Sequence, residues 1–160
     1  MADGPPCTGE HQADRPYDAI RKATSADVNA ISAIEIETFR QPLPTEWFAR
    51  AVEDAVVGVA EADGAVIGYI SAHLIPTGSG VGAHLTDLAV SAAARGRGVG
   101  RELLRWVLAQ VEECTHVELE VRRSNSAARG LYRSEGFTAR GYRPRYYADG
   151  EDAVVMTQTI

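Results

Sequence analysis

The run Arg95-Gly96-Arg97-Gly98-Val99-Gly100 constrains this chain more than any other. It follows an apolar segment ending at Val90 that reads as a strand. It leads straight into a segment where Val99, Leu103, Leu104, Val107, Leu108 and Val111 recur at helical spacing. Glycines at 96, 98 and 100 let backbone approach a ligand closely. The first amides of a helix have no partner within it and lie at the positive end of its dipole, so they suit a phosphate-like anion. Arg95, Arg97 and Arg101 add charge nearby. The spacing is not G-x-G-x-x-G, and no Gly-Lys-Ser/Thr follows, so a dinucleotide fold or an NTPase loop is excluded. Taken alone, such a turn is as readily a simple corner, and the anion has to be identified from other residues.

Charge distribution supports an anionic ligand in the same half of the chain. The net charge is -6 over 160 residues. Residues 1–94 carry five basic against thirteen acidic side chains, whereas residues 95–160 carry eleven against nine. That gradient argues for a local anion site and against a general nucleic-acid surface. Cys7 and Cys114 offer no disulfide framework, and His11, His73, His84 and His116 show no metal-ligand spacing. No apolar run reaches the roughly 18 residues of a membrane span. The opening MADGPPCTGEHQADRP has neither the basic nor the apolar region of a secretory signal. The expectation is a soluble cytoplasmic protein without metal or membrane partner.

Polar residues rich in Pro and Gly predict a disordered tail over 1–16, and one domain over 17–160. Tyr17–Ala23 reads as a strand. A helix follows with an apolar stripe of Val28, Ile31, Ile34 and Ile36, capped by Thr24, Ser25 or Asp27. Prolines 42 and 44 break it, and a second helix begins near Thr45. Val56–Ala62, Asp63-Gly64 and Ala65–Leu74 read as a hairpin. After a turn at Thr77-Gly78-Ser79-Gly80, a strand runs over Ala83–Val90 and the long helix over Val99–Cys114. His116–Val121 is a strand, Ser126–Glu135 a helix, and Phe137–Tyr146 and Ala153–Thr159 are strands. The order β-α-α-β-β-β-α-β-α-β-β predicts an α/β protein with helices packed on a mixed sheet.

Three ordered motifs resemble the GNAT superfamily of N-acetyltransferases. Arg95 to Gly100 fits its Arg/Gln-x-x-Gly-x-Gly/Ala signature. Leu119-Glu120-Val121-Arg122-Arg123-Ser124-Asn125, followed by Leu131-Tyr132 and Gly136-Phe137, is similar to its L-E-V-R-x-S-N-x-x-A-x-x-L-Y-x-x-x-G-F block. Tyr146-Tyr147-Ala148-Asp149-Gly150-Glu151-Asp152-Ala153 resembles the protein N-terminal acetyltransferases, above all the ribosomal-protein-alanine branch. The resemblance spans about residues 17–158. It implies a sheet of seven strands, flanked by four helices, that splays between its fourth and fifth strands around acetyl-CoA. The implied cofactor contacts are the backbone of Leu88, Ala89 and Val90, the loop residues Gly96, Arg97, Gly98, Val99, Gly100 and Arg101, and the Asn125 side chain. Asn125, or Ser124, is equally placed to cap the following helix. Ser91-Ala92-Ala93-Ala94 departs from the proline and aromatic residue that many members carry there.

Acetyl transfer needs a base for the amine and an acid for the leaving thiolate. On the strand at 116–121, Val117, Leu119 and Val121 share one face and Glu118 and Glu120 the other. That second face is commonly just solvated, which is the expectation for Glu118. The family block marks Glu120 as the catalytic base and Tyr132 as the acid; without it, Tyr132 reads as a core aromatic. The resemblance places Phe39 and Leu43 in an apolar pocket for the first residue of the acceptor, and Tyr146 and Tyr147 along its backbone. Trp47 and Phe48 read as core. The expected reaction is acetylation of a protein N-terminus, with a ribosomal protein as a possible acceptor. A small amine, a polyamine or a lysine side chain is the alternative acceptor, and a non-catalytic CoA-binding module the third reading.

Overall fold

The computed structural model describes residues 15–160, so the tail expected over 1–16 falls outside it except for Arg15 and Pro16. Seven strands form one sheet: β1 (Ala19–Lys22), β2 (Val56–Ala62), β3 (Ala65–Thr77), β4 (Gly80–Val90), β5 (His116–Arg122), β6 (Thr138–Arg143) and β7 (Ala153–Thr159). Their order across the sheet is β1-β2-β3-β4-β5-β7-β6. Every neighbouring pair is antiparallel except β4 and β5. Four helices cover it: α1 (Val28–Thr38), α2 (Thr45–Asp54), α3 (Val99–Gln110) and α4 (Ser126–Ser134).

Two apolar cores lie on opposite faces of the sheet. On one, Val99, Leu103, Leu104 and Val107 of α3 pack with Leu85, Val117, Leu119, Val121, Phe137 and Met156. On the other, Ile31 and Ile34 of α1 and Phe48 and Val52 of α2 cover Val57, Val59, Tyr69 and Ala89. The period-two burial of β5, with Val117, Leu119 and Val121 buried between less buried neighbours, is the alternation its sequence dictates.

The entry to α1 resolves the choice among Thr24, Ser25 and Asp27. Asp27 accepts a hydrogen bond from the Thr24 amide at 2.8 Å and two from the Arg21 guanidinium at 2.8 and 2.9 Å. The Arg21 Nε donates to Glu61 on β2 at 2.8 Å. A buried acid thus sits at a helix start, where its charge is favoured, and is tied through Arg21 to β1 and β2. Arg21 beside it holds the Asp27 carboxyl below the usual range.

Several boundaries differ from expectation for definable reasons. β1 is shorter than Tyr17–Ala23, since Thr24 already belongs to the helix entry. The β3–β4 arms pair as far as Thr77 with Gly80, leaving only Gly78 and Ser79 as the turn. α3 ends at Gln110 and not at Cys114; acidic Glu112 and Glu113 would face the negative end of the helix dipole. Val111 and Cys114 remain buried in the core nonetheless. β6 stops at Arg143, where Pro144 removes a donor and Arg145 adopts φ 51°. No helix among the described residues is long and apolar enough to cross a membrane.

Candidate active site

The parallel β4–β5 pairing lasts for three residues: Ala83 with Val117, His84 with Glu118 and Leu85 with Leu119. Past Leu85, β4 keeps its β3 partners through Val90, while β5 continues against β7. The backbone groups of Leu88, Ala89 and Val90 that would face β5 therefore find no strand partner there, and the Val90 carbonyl is taken by Arg95. A cleft of about 520 Å³ occupies this seam. Leu88, Glu120, Asn125 and Tyr132 line it from the sheet and α4, Phe39 and Leu43 from the α1–α2 loop, and Tyr146 and Tyr147 from the segment before β7. Eight of the expected site residues thus meet in one cavity. The Ala89 side chain points away, into the α1–α2 core.

The arginine-glycine loop forms a second hollow of about 260 Å³, lined by Val90, Gly96, Gly98, Val99, Gly100 and Arg101 among others. Gly96 (φ 75°) and Gly98 (φ 85°) hold left-handed backbone that side chains resist, and Gly98 is the residue from which α3 starts. The next helix-internal bond is Glu102 N to Gly98 O, at 3.2 Å. The amides of Val99, Gly100 and Arg101 are thus the unpartnered first turn of α3, the geometry an anion needs. The arginines divide their work. Arg95 donates to Val90 O at 2.8 Å and to Thr38 Oγ1 at 3.2 Å. Arg101 is held by Ser134 and Glu135 on the far side of the loop. Arg97 makes no ion pair among the described residues and lines neither hollow. Leu131 of α4, which sequence reasoning passed over, closes the loop pocket. In place of the usual proline and aromatic, the three alanines form a single 3-10 turn, anchored where Ala92 N donates to Glu37 at 2.8 Å.

Glu120 is not on a solvated face. Its side chain is 9% exposed, Oε2 lies 2.5 Å from His84 Nε2, and Oε1 lies 3.2 Å from Arg143 Nε. The His84 hydrogen bond outweighs burial and holds the carboxyl below its ordinary value; the same bond raises the imidazole. Glu118 behaves nearer to expectation, half-exposed, with Arg143 at 3.7 Å.

Tyr132 is 7% exposed and packs edge-on against Phe137, ring centroids 5.8 Å apart, yet it also lines the cleft. It is a core aromatic that also forms cleft wall. Burial, then the nearby Asp87, push its phenol above the ordinary value. Asn125 caps α4, its Oδ1 accepting from Ala128 N at 3.1 Å, and this leaves its amide group for the cleft. Tyr147 is clamped: the Arg122 guanidinium lies 4.1 Å over its ring and pairs with Asp149 and Glu151 at 2.9 and 3.1 Å. Burial, ahead of Tyr146, pushes the Tyr147 phenol up to about 12. Phe48 is buried as expected. Trp47 is not simply core: its ring meets that of His73 at a tilt, centroids 5.3 Å apart, and forms part of the cleft wall.

Sequence reasoning missed His84, Glu35 and Asp87, all of which line the cleft. Glu35 accepts from the Leu43 amide at 3.0 Å and from the Tyr69 hydroxyl, so it shapes the α1–α2 loop. Asp87 has an Oδ2 with no partner, and burial followed by Glu35 raises its carboxyl to about 8. A period-two reading of β4 would have put His84 on the same face as Thr86, but only the parallel register sets it beside Glu120.

The family model described as acetyltransferase (GNAT) family matches residues 25–137. An uncharacterized N-acetyltransferase of Methanocaldococcus jannaschii is 39% identical over 142 residues, covering 86% of this chain and 88% of the relative. An N-alpha-acetyltransferase of Sulfurisphaera tokodaii is 35% identical, covering 88% and 92%. Among solved structures, the ribosomal-protein-S18-alanine N-acetyltransferase of Escherichia coli superposes with a TM-score of 0.80 at 29% identity, covering 89% of this chain and 93% of that one.

Proposed function

Because the chain belongs to the GNAT acetyltransferase family, we propose that it transfers the acetyl group of acetyl-CoA to the α-amine of a protein N-terminus. The observation that carries this reading is the shape of the seam cleft. A base pair, Glu120 with His84, and an acid, Tyr132, share one cavity with the Phe39–Leu43 wall and the clamped Tyr146–Tyr147 segment. Those two walls suit the end of an extended chain. The names of relatives that acetylate protein N-termini support the same acceptor class, and a ribosomal protein is the acceptor to try first.

The loop residues Gly96 to Arg101 would hold the pyrophosphate of the donor on free helix amides. The β5-facing backbone of Leu88 to Val90 and the Asn125 amide would hold its pantetheine arm along the seam. When bound, the donor supplies an activated thioester. An α-amine has a pKa of about 7.7–8.0, so only a modest base is needed. Glu120, held ionised, accepts a hydrogen bond from His84 Nε2–H and so fixes the ring. The pair then takes the amine proton directly or through one water. Backbone N–H groups at the splayed edge of β4 polarise the thioester carbonyl. Tyr132, kept protonated by its burial, gives its phenolic proton to the departing thiolate. Phe39 and Leu43 exclude water from the first side chain, and Tyr146 and Tyr147 align the peptide.

Steady-state kinetics on peptides, lysine derivatives and small amines test the reading. Peptides with a free α-amine should be the fastest acceptors. Glu120→Gln and Tyr132→Phe should each lower kcat about 100-fold, with the KM for acetyl-CoA little changed. Faster turnover on a polyamine or a lysine side chain would sink the N-terminal acceptor. Unchanged kcat in both variants would sink the assigned roles.

A further inference from the structure

Arg143 lies on edge strand β6, outside every motif that marks the site, yet its guanidinium reaches across β7 to the acidic face of β5. Its Nε is 3.2 Å from Glu120 Oε1, and Nη2 is 3.7 Å from Glu118 Oε1. Glu120 is thus held from two sides, by His84 on one oxygen and by Arg143 on the other. We infer that Arg143 is a positioning residue that sets the protonation state of the His84–Glu120 pair, by drawing part of the carboxylate charge away from the imidazole.

The argument is one of competition for a single carboxylate. A carboxylate bound only to His84 would stabilise the imidazolium strongly and delay its loss of a proton to high pH. A neutral ring is what a base must be, and a ring still charged at working pH cannot accept a proton. A guanidinium on the second oxygen counters this in two ways. It shares the negative charge, and it repels the imidazolium directly. Both effects lower the pH at which His84 becomes neutral. The surrounding groups do not duplicate this. Glu118 on β5 pulls the imidazole upward, as Glu120 does; burial pulls it down, and Arg143 is the charged neighbour that adds to that lowering. His73 on β3 interacts with His84, but it is itself held below its ordinary value, chiefly by burial, and is neutral. Tyr146 and Tyr147, which feel Glu120 from the segment before β7, are neutral phenols held above their ordinary values. Arginine suits the task, since it stays charged at every working pH.

The inference rests on the reading that the pair takes the amine proton, so its test separates the two. In the full chain, the His84 imidazole is titrated by NMR, and kcat/KM is measured against pH on a peptide acceptor. In Arg143→Ala the His84 titration should move to higher pH by about half a unit, a value reduced by the partial exposure of Arg143. The acidic limb of kcat/KM should move upward with it, so that activity at pH 6.5 falls more than activity at pH 9. Arg143→Lys, which keeps the charge, should recover most of both shifts. A plateau lowered equally at all pH values, with the His84 titration unmoved, would overturn the inference and leave Arg143 a structural ion pair. A His84 titration that moves while the rate limb stays in place would support the coupling and instead remove the pair from the role of base.

Discussion

Asp87 lies in the cleft wall with one oxygen shut away from water and from any donor among the described residues. Burial comes first and Glu35 second in raising its carboxyl to about 8, against 3.8 for an ordinary aspartate. The folded state therefore binds a proton that the unfolded chain releases. The sign of the linkage follows: the penalty is absent below the unfolded value, grows as pH rises, and is complete once pH passes the folded value. Asp87→Asn removes the titration and offers the sealed position a neutral group. At pH 8.5 the variant should be more stable than the parent by about 1 kcal/mol or more, and this gain should shrink toward pH 5. Thermal melts at both pH values check it; parallel stability–pH curves for the two proteins would refute it. An acid that weakens the fold and persists in a binding cleft fits the trade between stability and activity.

At the scale of elements, α3 meets β2 through one contact with no slack. A Cβ built on Gly58 would lie 2.5 Å from the Trp106 ring. Gly58 has no left-handed backbone to protect, so its need for glycine is wholly steric. Gly58→Ala should cost about 1–3 kcal/mol, the usual toll of overpacking, read as a lowered denaturant midpoint at unchanged m-value. A midpoint within error of the parent would show that α3 can slide. This is also where the sequence was hardest to read. Turn pairs and prolines place β2, β7 and the start of α2 closely, because each is bounded by a local signal. They could not show that Gly58 is small because Trp106 lies over it, since that is a contact between distant elements. The same holds in the site. Glu120 and Tyr132 were legible from a motif with fixed spacing. His84 and Arg143 became visible only when the β4–β5 and β6–β7 registers brought them to Glu120. Trp47 carried a core signature and turned out to face both core and cleft.

At the scale of the whole molecule, the two halves of the sheet join through three β4–β5 pairs, and the arginine-glycine loop and seam cleft lie along the line where they part. A ligand bound along that line should tie the halves together. Coenzyme A at about 100 times its Kd should stabilise the protein by about 2.7 kcal/mol. Hydrogen exchange should slow most at Leu88 to Val90 and at Val99 to Arg101, with β7 little affected. Uniform protection over the sheet, or none in these two segments, would contradict this placement.

The shortness of that β4–β5 pairing has an evolutionary corollary. The cleft is a seam in the sheet whose walls rest on both cores, through Leu85, Val121 and Tyr132 on one side and Phe39, Leu43 and Trp47 on the other. Tyr146, half-exposed and outside both cores, is the wall position whose substitution reshapes the cleft at the least cost in stability. A scaffold divided in this way can take a new lining at that wall by a single step that leaves both cores intact.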